Sequence, residues 1–211
     1  MTDEQKHTLN LLALSLSRRG KFKSALDVFD YMSALYPECT NTLNAYAIAL
    51  FKCGKIAQAN DVIMRACRLD TANPDLYNNA GVLLKALRKL DDAIKYFDIA
   101  ISLKTDHANA HYNKANSLRC IDRLEAALVC FDQAIYYQPN FANAYYNRAK
   151  TLFRLKRYAK AAKDFTVTLK LRPGDWESHY GLGNTFFEMG ALEKAISHLN
   201  IAAKSKPDNA L

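Results

Sequence analysis

Phe29, Ile63, Phe97, Phe131, Phe165 and Leu199 stand 34 residues apart, one large apolar residue per step. Ala25, Ala59, Ala93, Ala127, Ala161 and Ala195 form a second ladder on the same period. Pro139, Pro173 and Pro207 form a third, which continues backwards through Thr105, Thr71 and Pro37 without insertion or deletion. A fixed period of this length means a repeat array. Each step predicts two helices, helix A over about positions 1 to 14 and helix B over about positions 17 to 31, with position 1 at Lys6, Thr40, Pro74, Ala108, Ala142 and Trp176. Proline at position 32 ends helix B, because it cannot continue a helix and restrains the residue before it. Thr71 and Thr105 are expected to do so less sharply. Pro74 suits a first helical turn, where a missing N–H costs nothing. Gly20, Gly54 and Gly190 mark the turn between A and B; Arg88, Asp122 and Lys156 replace them in the middle repeats, so that turn is expected not to demand positive φ.

The stretch Ala142–Asp175 shows the pattern most fully, and it resembles the tetratricopeptide repeat (TPR) family. Position 8 reads Ala13, Ala47, Gly81, Ala115, Ala149 and Gly183. Position 27 is read as Ser33, Ala66, Ala100, Ala134, Thr168 and Ala202. Small residues there and at position 20 let helices A and B approach closely, while position 24 fills the space beside them. The resemblance implies an all-α chain, a right-handed α-solenoid of tandem helix-turn-helix repeats. It implies one array over residues 1–211, with repeats at about 6–39, 40–73, 74–107, 108–141, 142–175 and 176–209. Each repeat buries its apolar face on its neighbours.

Composition narrows the class. Half the residues are hydrophobic, enough for a sizeable core. There is no run long and apolar enough to span a membrane, and Met1–Lys6 carries no leader pattern, so a cytoplasmic protein without membrane attachment is expected. Cys39, Cys53, Cys67, Cys120 and Cys130 fall at unrelated repeat positions, which points to free thiols rather than a disulfide framework. The net charge of +8 is concentrated in residues 142–175, which hold nine basic and two acidic residues. Charge confined to one repeat is not the stripe that nucleic-acid binding needs, so no nucleic-acid partner is expected.

In the TPR family, helix A lines the concave face, and positions 2, 5, 6, 9, 12 and 13 point into it. Asn79, Asn113 and Asn147 occupy position 6 in three successive repeats, Tyr112, Tyr146 and Tyr180 position 5, and Asn116 position 9. Carboxamides donate and accept, so this ladder can hold an extended peptide by its backbone; tyrosines add flat apolar area with a polar tip. Arg119, Lys150 and Arg154 take groove positions 12, 9 and 13 and favour an acidic or carboxylate-ended segment. The run Tyr145–Lys150 is similar to the middle of the TPR carboxylate clamp that grips chaperone C-termini, and Asn116 and Asn147 match it. Tyr112, Glu177 and Gly181 stand where that clamp has cations, so a standard clamp is not expected.

His107 and His111 lie four apart without a third ligand and are read as packing residues; no metal or other cofactor is expected. No Gly-rich phosphate loop, nucleophile elbow or paired-carboxylate motif is present, so no catalysis is expected. The function expected is a non-enzymatic interaction scaffold that binds a peptide segment of a protein partner in its groove. The alternative is an accessory chaperone of a secretion or assembly system, since the run Leu12–Leu35 resembles short TPR proteins of type III secretion. At the C-terminal end, Ile196, Leu199 and Ala203 present an apolar face and Pro207–Leu211 resembles the opening of a seventh repeat. Two expectations follow: a fragment of a longer array, or a two-fold homodimer through that repeat.

Overall fold

The computed structural model describes residues 3–205, with side chains from residue 8 onward. Pro207 and the Pro207–Leu211 segment lie outside the described residues. Twelve helices follow one another, with no strand among the described residues: α1 Asp3–Arg18, α2 Phe22–Leu35, α3 Thr40–Lys52, α4 Ile56–Leu69, α5 Pro74–Ala86, α6 Leu90–Leu103, α7 Ala108–Cys120, α8 Leu124–Tyr137, α9 Ala142–Arg154, α10 Tyr158–Leu171, α11 Trp176–Glu188 and α12 Leu192–Ser205. They make two compact units, Met1–Asn113 and Lys114–Leu211, and the boundary falls within α7. In the first unit α1 to α6 pack each on the next, and α3 also touches α1 and α5. In the second, α8 to α12 do the same, and α9 also touches α11. This is the all-α architecture of sequentially packed helix pairs that the 34-residue period requires.

Helix B ends at the same repeat position with or without proline. α4 and α6, followed by Thr71 and Thr105, stop at Leu69 and Leu103, in register with Leu35, Tyr137 and Leu171 before the prolines. The stop is made by the backbone one residue on. Asp70 and Lys104 leave the helix at φ −131° and −143° while their N–H groups still bond to the carbonyls of Ala66 and Ala100. Asn73 and Asp175 then cap the next helix through their side chains, on the N–H groups of Asp75 and Ser178.

The turn between A and B corrects the sequence expectation. Arg88, Asp122 and Lys156 adopt φ of 63°, 62° and 57°, as Gly20, Gly54 and Gly190 do at 74°, 76° and 75°. The next N–H in each repeat reaches back to the carbonyl at position 11: Lys55 to Leu50 at 3.0 Å, Lys89 to Leu84 and Arg157 to Leu152 at 2.9 Å. That is a left-handed helix cap, and its hydrogen bonds fix positive φ whichever residue sits there. A side chain there is strained. Lys156→Gly is therefore expected to stabilise the second unit by about 1 kcal/mol. A urea midpoint that fails to rise would count against it.

The alanine and phenylalanine ladders form the core. Ala25, Ala59, Ala93, Ala127 and Ala161 are fully buried, as are Phe29, Ile63, Phe97 and Phe131. Position 27 of the first repeat needs a second correction. Met32, not Ser33, is one period before Ala66, and it is fully buried. Ser33 turns aside and donates its hydroxyl to the Asp30 carbonyl. No small residue is required there, because unbranched methionine adapts to the space.

Candidate functional site

Within the second unit, α7, α9, α10, α11 and α12 enclose a hollow of about 800 Å³. Its walls are largely apolar: Tyr146 and Phe153 of α9, Phe165 of α10, Trp176, Tyr180 and Gly181 of α11, and Leu199, Ala202 and Ala203 of α12. Arg119, Lys150 and Arg154 bring three cations to it, and Glu177 one carboxylate. Gly181 admits the Phe165 ring to the wall. It stands at position 6, where the three preceding repeats carry asparagine, and a Cβ there would lie 2.5 Å from Cζ of Phe165. Gly183 does the same beside Leu199, with a would-be Cβ 2.7 Å from Cγ.

Arg119 donates from Nη2 to Asn116 Oδ1 at 3.4 Å, while its Nε–H is buried and makes no hydrogen bond. Leaving a buried donor unsatisfied is costly. Lys150 Nζ lies over the Tyr146 ring, 5.2 Å from its centroid. Tyr146 in turn packs edge-on against Phe165 at 5.9 Å. Burial, then the charges of Glu177 and Asp175, push the Tyr146 hydroxyl up to about 12, with Arg119 and Arg172 acting the other way. Tyr146 is therefore a neutral phenol at ordinary pH. Arg154 donates to Asp122 at 2.5 Å.

The charge excess of repeat five is partly consumed at home. Arg148 grips Asp164 with Nε and Nη2, both at 2.7 Å, and donates to Asp132 at 2.6 Å. Burial lowers the Arg148 pKa, and the hydrogen bonds to Asp164 and Asp132 more than reverse this. Arg157 pairs with both oxygens of Glu125 at 2.6 and 3.0 Å. Three of the nine cations thus face named carboxylates, three of which belong to repeat four.

The expected site residues fall in both units. Asn116, Arg119, Tyr146, Asn147, Lys150 and Arg154 belong to the second; Arg119, Tyr146, Lys150 and Arg154 line the hollow, Asn116 supports Arg119, and Asn147 accepts from the Thr151 hydroxyl through its carbonyl. Asn79, Tyr112 and Asn113 belong to the first. There the carboxamides bond to one another: Asn113 donates to Asn78 at 2.9 Å, Asn78 to Asn79 at 3.3 Å and Asn79 to Asn44 at 2.8 Å. Part of their capacity is spent joining successive helices A. The first unit also has a concavity of about 210 Å³ lined by Ile48, Phe51, Asn79 and Val82. Sequence reasoning missed Phe153, Phe165, Trp176 and Gly181 as lining residues, while Tyr180 follows from groove position 5. The available signal was glycine interrupting the asparagine ladder at position 6.

His107 and His111 are held by protein groups. Nε2 of His107 lies 3.1 Å from Asp75 Oδ1, and Nε2 of His111 lies 2.9 Å from the Thr105 carbonyl. Among the described residues no three ligands gather at a metal site, and no helix is long and apolar enough to cross a membrane. None of the five cysteines is in a disulfide. His179 and His198 stack with their Nδ1 atoms 3.0 Å apart. Burial, then His179, holds the His198 pKa below the usual 6.5. The folded state therefore binds fewer protons than the unfolded chain, so this contribution is intact above pH ~6.5 and is lost as pH falls. Melting of the second unit is expected to drop faster below pH ~6.5 than that of a His198→Gln variant; parallel curves would refute it.

Family profiles match three stretches: TPR repeat over residues 121–156, tetratricopeptide repeat over 142–175, and coatomer epsilon subunit over 3–128. No curated protein matches the sequence. Among solved structures, pilF of Pseudomonas aeruginosa superposes with a TM-score of 0.86 at 16% identity, covering 98% of this chain and 94% of that one. PilW, a type IV pilus biogenesis factor, gives 0.85 at 16%, covering 93% and 91%. YrrB, a TPR protein with an unusual peptide-binding site, gives 0.68 at 20%, covering 86% and 93%. The chain is a tetratricopeptide repeat protein and, by the extent of the longest profile match, belongs to the coatomer epsilon subunit family. Its class is a protein-interaction scaffold, a kind of protein that is typically non-catalytic.

Proposed function

We propose that the second unit binds an extended, acidic segment of a protein partner in its hollow. The observation that carries this reading is the hollow itself: about 800 Å³, apolar within, and bordered by Arg119, Lys150 and Arg154 against the single carboxylate of Glu177. That combination suits a peptide. Apolar walls supply the area, and a few convergent charges set orientation. Asn116, Arg119, Tyr146, Asn147, Lys150 and Arg154 are the contacts; Asn79, Tyr112 and Asn113 of the first unit are a separate proposal, tested by Asn113→Ala. The peptide-binding description of YrrB supports the reading by analogy of fold.

The test is affinity capture from the native source, followed by cross-linking from the second unit. Lys150→Glu with Arg154→Glu is expected to slow association at least tenfold and to flatten its salt dependence. A partner captured equally well by this variant, at every salt concentration, would sink the reading.

A second reading is an accessory chaperone of an assembly system. It is favoured by the near full-length fit to PilW, a pilus biogenesis factor, and by the coatomer epsilon match over residues 3–128. One co-expressed client bound at fixed stoichiometry, and released on assembly, would distinguish it.

A further inference from the structure

Resting on that reading, we infer that the bound segment inserts one bulky apolar side chain, aromatic or large aliphatic, beside Gly181 and places the carboxylate of an adjacent acidic residue on Arg119. Three independent observations converge. Gly181 removes the side chain that position 6 carries in the three preceding repeats, and the ring of Phe165 stands where its Cβ would go. An apolar ring thereby stands in the wall where the ladder would continue with a carboxamide. The surfaces around that ring, Tyr146, Phe153, Trp176 and Leu199, can bury a side chain but offer it few polar partners. A volume of about 800 Å³ exceeds what one large side chain fills, so the flanking backbone enters as well.

The second observation is the buried, unbonded Nε–H of Arg119. Its guanidinium already reaches Asn116 through Nη2, at the long distance of 3.4 Å. A carboxylate is the acceptor whose geometry and charge a guanidinium fork matches. The third is the asymmetry of charge. Lys150 is held over the Tyr146 face, whereas Glu177 lines the same hollow with the opposite sign. An acidic neighbour that meets Arg119 and Lys150 is attracted; one that meets Glu177 is repelled.

Trp176 is the only tryptophan and lines the hollow, so its emission reports occupancy in the full-length protein. The probes are three synthetic hexapeptides, acetylated and amidated, that differ only at a central pair: Phe–Asp, Phe–Lys and Ala–Asp. Only the Phe–Asp peptide is expected to shift Trp176 emission saturably. Arg119→Met and Phe153→Asn are each expected to weaken it at least tenfold while circular-dichroism melts stay two-state. Gly181→Asn, which forces the Phe165 ring out of the wall, should abolish it. Should Gly181→Asn fail to fold, the other two variants decide alone. Equal binding of the Phe–Lys peptide would overturn the acidic neighbour; equal binding of the Ala–Asp peptide would overturn the anchor. No response to any of the three overturns the inference. Partner capture then separates the two failures. Loss with Lys150→Glu/Arg154→Glu but not with Arg119→Met or Phe153→Asn leaves peptide binding standing; loss with none of them removes both.

Discussion

Arg148→Ala is expected to lower the unfolding free energy of the second unit by about 3–5 kcal/mol, the cost of breaking a buried ion pair from one side. Asp164 is 6% exposed, and two of the bonds to its carboxylate come from Arg148. Removing the guanidinium strands that carboxylate and frees Asp132, which is exposed and recovers its hydration at little cost. The Arg148 guanidinium also lies 5.4 Å from the centroid of the Tyr145 ring, and the same substitution removes this cation–π interaction. The energy measured is mostly the penalty for the stranded partner rather than the worth of the pair. Arg148→Met combined with Asp164→Leu should therefore recover most of the loss, since two apolar residues of similar bulk leave no buried charge. Urea unfolding of both variants is the measurement. A loss below ~1 kcal/mol for Arg148→Ala would mean that the pair is solvated and behaves as a surface bridge. A double variant no better than the single one would mean that the geometry, not the charge, is what holds α9 to α10.

The fold was legible because each repeat poses the same packing problem. Helix limits came within one residue everywhere except the start of α1, which begins at Asp3, three residues before Lys6, since they follow from where alanine and phenylalanine must meet. What the sequence concealed has several separate causes. The left-handed turn was hidden because its requirement is set by hydrogen bonds, such as Lys89 to Leu84, which arginine and lysine at the turn do not reveal. Arg148 reads, in sequence, as part of a basic excess and a clamp-like run. Its partners sit 16 residues away on either side, at positions 25 and 23, and only a register-wise comparison pairs them. Tyr46 and Asp30 make the same position-7 to position-25 contact in the first unit, so the rule could have been found. The hollow was missed because it arises from an absence. Gly181 contributes room for the Phe165 ring rather than chemistry, and Leu199, expected on an exposed terminal face, is half-buried in its wall. The groove cations were visible as charges, but that Arg154 is spent on a neighbour depends on Asp122, one repeat earlier.

Phe97→Ala is expected to cost about 3–5 kcal/mol in the first unit, the range for removing a fully buried aromatic side chain. Phe97 is 0% exposed and packs with Leu84 and Ala93, with Met64, Val82 and Tyr96 around them. Its ring also fills the space that Gly81 leaves open: a Cβ at Gly81 would lie 2.5 Å from Cε1. Gly81→Ala alone is thus an overpacking change, expected to cost about 1–3 kcal/mol, although alanine is the better helix former by about 0.5–1 kcal/mol. The two positions are coupled. Phe97→Ile with Gly81→Ala recreates the pair that stands as Ala47 and Ile63 in the second repeat, where both residues are buried. In that background the clash is relieved and the Gly81→Ala change should become neutral or stabilising. A double-mutant cycle measured by urea unfolding should show a coupling of at least ~1 kcal/mol, as residues in contact do. Additive effects would mean that the ring of Phe97 moves aside freely, and that glycine at position 8 of the third repeat is not required by its neighbour.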